Sequence, residues 1–207
     1  MYFKGTLLLL LLIFYINITQ IDSRVEFTNI KCNSRDKTYF DFEYCYIKSV
    51  NRSYKYISLK ANLHEVPIIN VSANLQIFKR FRTYMPITMN ITFDVCKYME
   101  TKKHFGNPML KLFEKISKNY TNINHKCPYD HDLYVDKLPA QLLNQHFTDV
   151  LPLPPGDYAY YSSWYTKGIE RATIWIYASL SVLRALTDGN QILQVSQFLE
   201  PEAKRHI

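Results

Sequence analysis

Glycine is scarce in this chain, with five in 207 residues. A phosphate-cradling loop and a Gly-x-Ser-x-Gly nucleophile elbow each need clustered glycines, and neither pattern occurs. No His-Glu-x-x-His helix is present either, so the usual motif-level routes to a kinase, a serine hydrolase or a zinc protease are closed. Long apolar runs are lacking as well. Leu7–Ile16 is too short to cross roughly 30 Å of hydrocarbon at 1.5 Å per residue. The next most apolar stretch, Ala172–Leu186, is interrupted by Ser179, Ser181 and Arg184, so no membrane span is expected in the mature protein. Internal repeats and low-complexity blocks are absent, and charge is scattered, with Lys79-Arg80-Phe81-Arg82 and Lys102-Lys103 its densest points.

What is present begins with a compartment. Lys4, the apolar run and the small and polar residues up to Ser23 read as a secretory signal peptide over residues 1–23. About 185 residues then remain, the size of one domain: a body over 24–186 and a C-terminal tail over 187–207. In a secreted chain four cysteines read as two disulfides with three pairings open. Cys32 with Cys45 and Cys96 with Cys127 is preferred, because each pair brackets a local excursion, and Cys32 with Cys127 is the alternative. Chain entropy gives roughly 3 kcal/mol for the shorter loop and slightly more for the longer. Asn51, Asn70, Asn90 and Asn119 head Asn-x-Ser/Thr sequons, so glycosylation is expected and their side chains should face solvent. A formal net charge of +7 in this compartment points to glycans, anionic headgroups or an acidic receptor face, not to nucleic acid.

Seventeen tyrosines and twelve phenylalanines favour pleated, half-buried strands. Met85, Ile87, Met89, Ile91, Phe93 and Val95 recur at every second position and deliver Cys96 to a strand end. Similar alternation is read over Val25–Cys32, Tyr39–Val50, Tyr54–Leu63, Ile69–Ile77, Leu133–Leu138, Asp157–Tyr165 and Ala172–Leu183. After Gly106-Asn107-Pro108, the apolar positions Met109, Leu112, Phe113 and Ile116 switch to helical spacing, which predicts one amphipathic helix over about 108–119. Ile192, Leu193, Val195 and Phe198 would line a C-terminal helix. The fold class is therefore all-β: an antiparallel, immunoglobulin-like sandwich of about seven or eight strands, with one capping helix and with Trp164 and Trp175 as core anchors.

Two clusters qualify as candidate sites. His125-Lys-Cys127-Pro-Tyr-Asp130-His131-Asp132 gathers imidazoles, a thiol and carboxylates, yet Cys127 is more simply a disulfide partner and no second histidine pair has metal-ligand spacing. No catalytic residue, metal or cofactor is expected. The other cluster is apolar: Leu59, Leu75, Met85, Ile87 and Met89 on strands, with Met109, Leu112, Phe113 and Ile116 on the helix. Two readings stay open for it, a packed core and the wall of a ligand cavity.

Phe27-Thr-Asn-Ile-Lys-Cys32, Asn51-Arg52, Asp94-x-Cys96, Asn124-His-x-Cys127-Pro-Tyr129, Leu151-Pro-Leu-Pro154, Gly156-Asp-Tyr158 and Arg171-Ala172 follow one another in an order that resembles the secreted insect family known as domain of unknown function 1091. That family includes relatives of the CheA and CheB chemosensory proteins and is distantly similar to ganglioside-activator-like lipid-recognition sandwiches. The resemblance implies an apolar cavity between two sheets and an apolar small molecule, lipid or pheromone-like, as ligand; the further partner expected is a membrane receptor or channel. Lys79–Tyr84 departs from the pattern, which has Asn-Gly before the tyrosine. The expectation is a secreted, non-enzymatic binding protein; its rival is an interaction module with a filled core.

Overall fold

The computed structural model describes residues 21–51, 54–102, 106–144 and 153–184. Residues Val25–Leu180 form one compact unit. The chain ends, Met1–Arg24 with Ser181–Ile207, group as a second, within which Ser181 Oγ donates to the Arg24 carbonyl at 3.4 Å. Of the signal peptide expected over 1–23, residues 1–20 lie outside the described residues and Ile21–Ser23 fall within a strand; the tail expected over 187–207 also lies outside them.

The strands are β1 (Ile21–Ser34), β2 (Phe40–Ser49), β3 (Lys55–Leu63), β4 (Ser72–Arg80), β5 (Tyr84–Asp94), β6 (Leu133–Pro139), β7 (Gly156–Thr166) and β8 (Ile169–Arg184), with helices α1 (Val95–Thr101) and α2 (Pro108–Tyr120) between β5 and β6. They make a five-stranded sheet ordered β1-β8-β7-β4-β5 and a three-stranded sheet ordered β2-β3-β6, the two-sheet, mainly β architecture expected. The period-two pattern explains the sandwich directly. In β4, Ala73, Leu75 and Ile77 are buried while Asn74, Gln76 and Phe78, alternating with them, point to the other face.

β5 keeps the predicted phase where it is covered. Ile87, Ile91 and Phe93 pack on the core, and Asn90 is exposed with Thr92 on the opposite face, both accepting from Asn74 Nδ2 at 2.6 and 2.8 Å. A bulge lies between the pairs Gln76–Asn90 and Phe78–Pro86. Met85 pairs with Lys79 next to the hairpin turn and is 51% exposed. The side chains of Thr88 and Met89 lie outside the described residues.

Three boundaries or orientations differ from expectation for local reasons. The strand predicted to deliver Cys96, β5, ends at Asp94 instead: the Asp94 carboxylate accepts from the Lys97 amide at 2.9 Å and starts α1, whose first residue, Val95, is buried. β4 starts at Ser72, and Ile69 is 68% exposed, because Ile68 forms an isolated bridge with Tyr129 instead of extending the strand. Trp164 packs against the core, but Trp175 lies one residue from the core-facing Ile176 and so points outward, against Phe78 and Tyr161.

The predicted helix runs Pro108–Tyr120, with Asn107 accepting from the Met109 and Leu110 amides and proline in its first turn, where no amide partner is needed. Its buried face is Met109, Leu110, Leu112, Phe113 and Ser117. Both preferred disulfides are present: Cys32–Cys45 with Cα atoms 6.2 Å apart and Cys96–Cys127 at 5.4 Å. Among the described residues no helix is long and apolar enough to cross a membrane.

Candidate functional site: an apolar cavity between the sheets

Two strands from distant parts of the chain each place an alanine among large neighbours. In the small sheet, Ala61 is paired with Phe42 on one side and Leu133 on the other. In the large sheet, Ala172 pairs with Trp164. Both alanines are buried at 4% exposure, and both line one partly open cavity of about 130 Å³ between the sheets. A methyl group where neighbours carry rings leaves space that those rings do not fill. Phe40, Leu59, Val71, Ile123 and Ile174 complete a wall whose accessible surface is wholly apolar, and Tyr134, 42% exposed, stands at the rim.

The floor comes from the disulfide-bracketed excursion, but from its return leg: Thr121, Ile123 and Tyr129. Tyr129 is 2% exposed and its hydroxyl donates to the Ile123 carbonyl at 3.1 Å. Burial pushes that hydroxyl up to about 12, so it stays neutral beside the cavity. At the end of the cavity, Arg171 is held from three directions. Its Nη1 donates to Asp36 at 2.8 Å, its Nε to Thr166 at 3.1 Å, and its guanidinium carbon sits 3.8 Å from the centroid of the Tyr39 ring. The Asp36 carboxyl is lowered, first by the hydroxyl of Thr38, which donates to it at 2.6 Å, and also by Arg171. These contacts, with Arg35 paired to Glu170 at 2.9 Å, fasten the β1–β2 turn to the β7–β8 turn and leave no polar group facing the cavity.

A second, smaller apolar cavity of about 60 Å³ lies towards the other ends of β6, β7 and β8, lined by Phe27, Leu112, Ile116, Leu138, Tyr160 and Ile176 among others. Burial raises the Tyr160 hydroxyl. Between the two hollows stands a filled layer. Phe113 packs edge-on to Phe93 at 5.3 Å and Tyr98 at 5.8 Å, and lies 6.2 Å from Trp164.

The residues singled out by periodicity are thus distributed, not gathered. Leu59 lines the larger cavity; Leu112 and Ile116 line the smaller. Leu75, Met109 and Phe113 are buried and line neither cavity, Ile87 is half-buried, and Met85 is exposed. Sequence reasoning missed Ala61, Ala172 and the Thr121–Tyr129 leg. Asn51, Asn70, Asn90 and Asn119 are all exposed.

The His125–Asp132 segment is absorbed structurally. Cys127 is in its disulfide, the Asp130 carboxyl is held low by its hydrogen bond from His131 at 2.9 Å, and Asp132 accepts from the Leu63 amide and pairs with Lys60. His125 lies against the Tyr129 ring at 4.9 Å and the His131 ring at 5.2 Å. Among the described residues no three His, Cys, Asp or Glu side chains converge as a metal set.

Residues 73–160 match the model of a family described as a protein of unknown function, DUF1091, which supports the family to which the sequence is similar. The matched segment runs from β4 into β7 and includes both helices and the Cys96–Cys127 excursion. No curated protein matches the chain. Two disulfides and the lack of a spanning helix among the described residues are compatible with an extracellular protein.

Proposed function

We propose that this is a secreted, glycosylated, non-enzymatic protein that takes up a small apolar molecule, lipid or pheromone-like, between its sheets and presents it to a membrane receptor or channel in a chemosensory setting. The observation that carries the reading is the wholly apolar, partly open cavity built around Ala61 and Ala172. Its about 130 Å³ is close to the roughly 150 Å³ that accepts a benzene ring in an apolar protein interior. One ring or a short stretch of hydrocarbon chain fits, and the fixed Arg171 and neutral Tyr129 exert no pull on a charged ligand. The leader over residues 1–23 and four exposed sequons support secretion and glycosylation.

The second reading, an interaction module with a filled core, is favoured by the same number. Pockets for drug-sized ligands usually measure about 300–1,000 Å³, so a bulky ligand requires the sheets to part. The experiment is binding of an apolar fluorescent probe to the full chain secreted from insect cells, beside Ala172→Leu, whose added carbons occupy the cavity. Saturable binding by the parent and at least tenfold weaker binding by a folded Ala172→Leu protein supports the carrier. No saturable binding, or equal binding by both, supports the interaction module.

A further inference from the structure

The tip of the β4–β5 hairpin presents the unlike pair of properties that a charged lipid surface recognises. Phe81 is 66% exposed and Met85 51%, two large apolar side chains on one hairpin. Cations surround them. Arg80 and Arg82 flank Phe81 and both are exposed, and Lys79 Nζ lies 5.8 Å from the Phe81 ring centroid. Arg80 pairs with Asp157 at 3.6 Å, but both partners are about half exposed, so the pair holds the arginine weakly. Arg82 has no ion-pair partner among the described residues.

Behind the tip, on the face of the large sheet opposite the cavity, Arg80, Arg82, Lys31, Tyr84 and Tyr177 border an open groove of about 560 Å³. Lys31 Nζ lies 5.7 Å over the Tyr177 ring, which packs against Tyr84 at 5.3 Å and continues into Trp175 at 6.2 Å. Tyrosine and tryptophan with apolar bodies and polar tips are the side chains that settle at headgroup level. No carboxylate borders the groove.

We propose that this hairpin tip is a docking site for a lipid surface carrying anionic headgroups. Phe81 and Met85 enter the boundary between headgroups and acyl chains, while Arg80, Arg82 and Lys31 hold the headgroup anions. An acidic soluble glycan explains the cations but leaves Phe81 and Met85 without a role. A receptor protein does not require cations to ring an apolar tip. Ile69 is as exposed as Phe81 at 68%, yet it borders one surface hollow with Glu65 and the sequon Asn70, so exposure of an apolar side chain alone does not mark the site. The inference stands apart from the cavity reading, because none of these residues lines either apolar cavity.

The test is cosedimentation of the full, insect-cell-secreted chain with large vesicles of phosphatidylcholine, with and without about one-third phosphatidylserine, at about 0.15 M salt where surface charges act within some 8 Å. The parent should sediment with the anionic vesicles and not with the neutral ones. Phe81→Ser should weaken binding about tenfold, in line with withdrawing an apolar ring from the interface. Arg80→Ala with Arg82→Ala should weaken it at least tenfold, at about fivefold per cation. Met85→Ser should weaken it less than Phe81→Ser, and Ile69→Ser should leave it unchanged. The proposal fails if Phe81→Ser binds as the parent does, or if Ile69→Ser loses as much as Phe81→Ser. It also fails if the parent ignores anionic vesicles but binds heparin in a manner sensitive to Arg80 and Arg82 alone.

Discussion

The two ends of the space between the sheets are built from similar side chains and end up different. Towards the β7–β8 turn, Ala61 and Ala172 leave about 130 Å³ open with the excursion's return leg beneath. Towards the other end, Leu112 and Ile116 from α2 and Tyr160 from β7 reduce the hollow to about 60 Å³. The amphipathic helix therefore fills more than it covers. Its central residue, Phe113, belongs to an aromatic layer with Phe93, Tyr98 and Trp164 that divides the ends. A cavity in a sandwich is set by where small residues face one another, and a long apolar stripe is more often what closes it.

The largest expected effect tests the dividing layer. Phe113→Ala should lower stability by about 3–5 kcal/mol, the range for removing a buried aromatic ring, read as a shift of the urea midpoint. A loss under about 1 kcal/mol would mean that the layer is loose and that the two hollows communicate. Next is the tether of the return leg. Replacing Cys96 and Cys127 together by serine opens a loop with a sequence separation of 31 and should cost about 3–4 kcal/mol by chain entropy. It should also abolish apolar-probe binding at temperatures where the variant is still folded, because Thr121, Ile123 and Tyr129 lose their anchor. The corresponding Cys32–Cys45 change, with separation 13, should cost slightly less and spare the probe. Equal effects on the probe would remove the return leg from the site.

A third contrast is smaller. Ala61→Leu adds its carbons to existing space and should change stability by less than about 1 kcal/mol in either direction, whereas Ala73→Leu, in the filled part of the large sheet with 0% exposure, should cost about 1–3 kcal/mol through overpacking. Equal costs at the two alanines would mean that the hollow around Ala61 closes in solution.

The difference between these positions also marks how far the sequence could be read. Strand alternation in β4 and β5, the 3.6-residue spacing in α2 and the local bracketing of both disulfides are short-range signals, and each is expressed in the structure because neighbours in sequence decide it. Asp94 carried a readable helix-start signal that the apolar phase of Val95 masked, since a strand and the first residue of a buried helix present the same alternating face. The cavity was not legible in this way. Its defining residues, Ala61 and Ala172, are 111 positions apart, each unremarkable in its own strand, and only the pairings Phe42–Ala61–Leu133 and Trp164–Ala172 bring large groups around them. Trp175 failed for a related reason: an aromatic in an apolar strand has no label for which sheet face it takes until the register is set.

The smallest effect asks whether the cavity floor is dry. The Tyr129 hydroxyl is pushed up to about 12 by burial, and that of Tyr98 also to about 12, by burial first and by nearby Glu114 second. In the unfolded chain both titrate near about 10. A folded-state value above the unfolded one contributes stability that is fully present below about pH 10 and lost as pH rises towards about 12, because the unfolded chain releases its protons first. Stability should therefore be flat from pH 7 to about 9.5 and fall beyond about 10, with no free cysteine among the described residues to exchange with the disulfides. Tyr129→Phe removes the hydroxyl that donates to the Ile123 carbonyl and should cost about 1 kcal/mol at pH 7. The same variant should fall less steeply with pH above about 10, since one of the raised hydroxyls is gone. Urea midpoints measured from pH 7 to 11 decide it. If the parent and Tyr129→Phe fall with the same slope, water reaches the Tyr129 hydroxyl, and the floor of the larger cavity is wet where that of a carrier for apolar molecules should be dry.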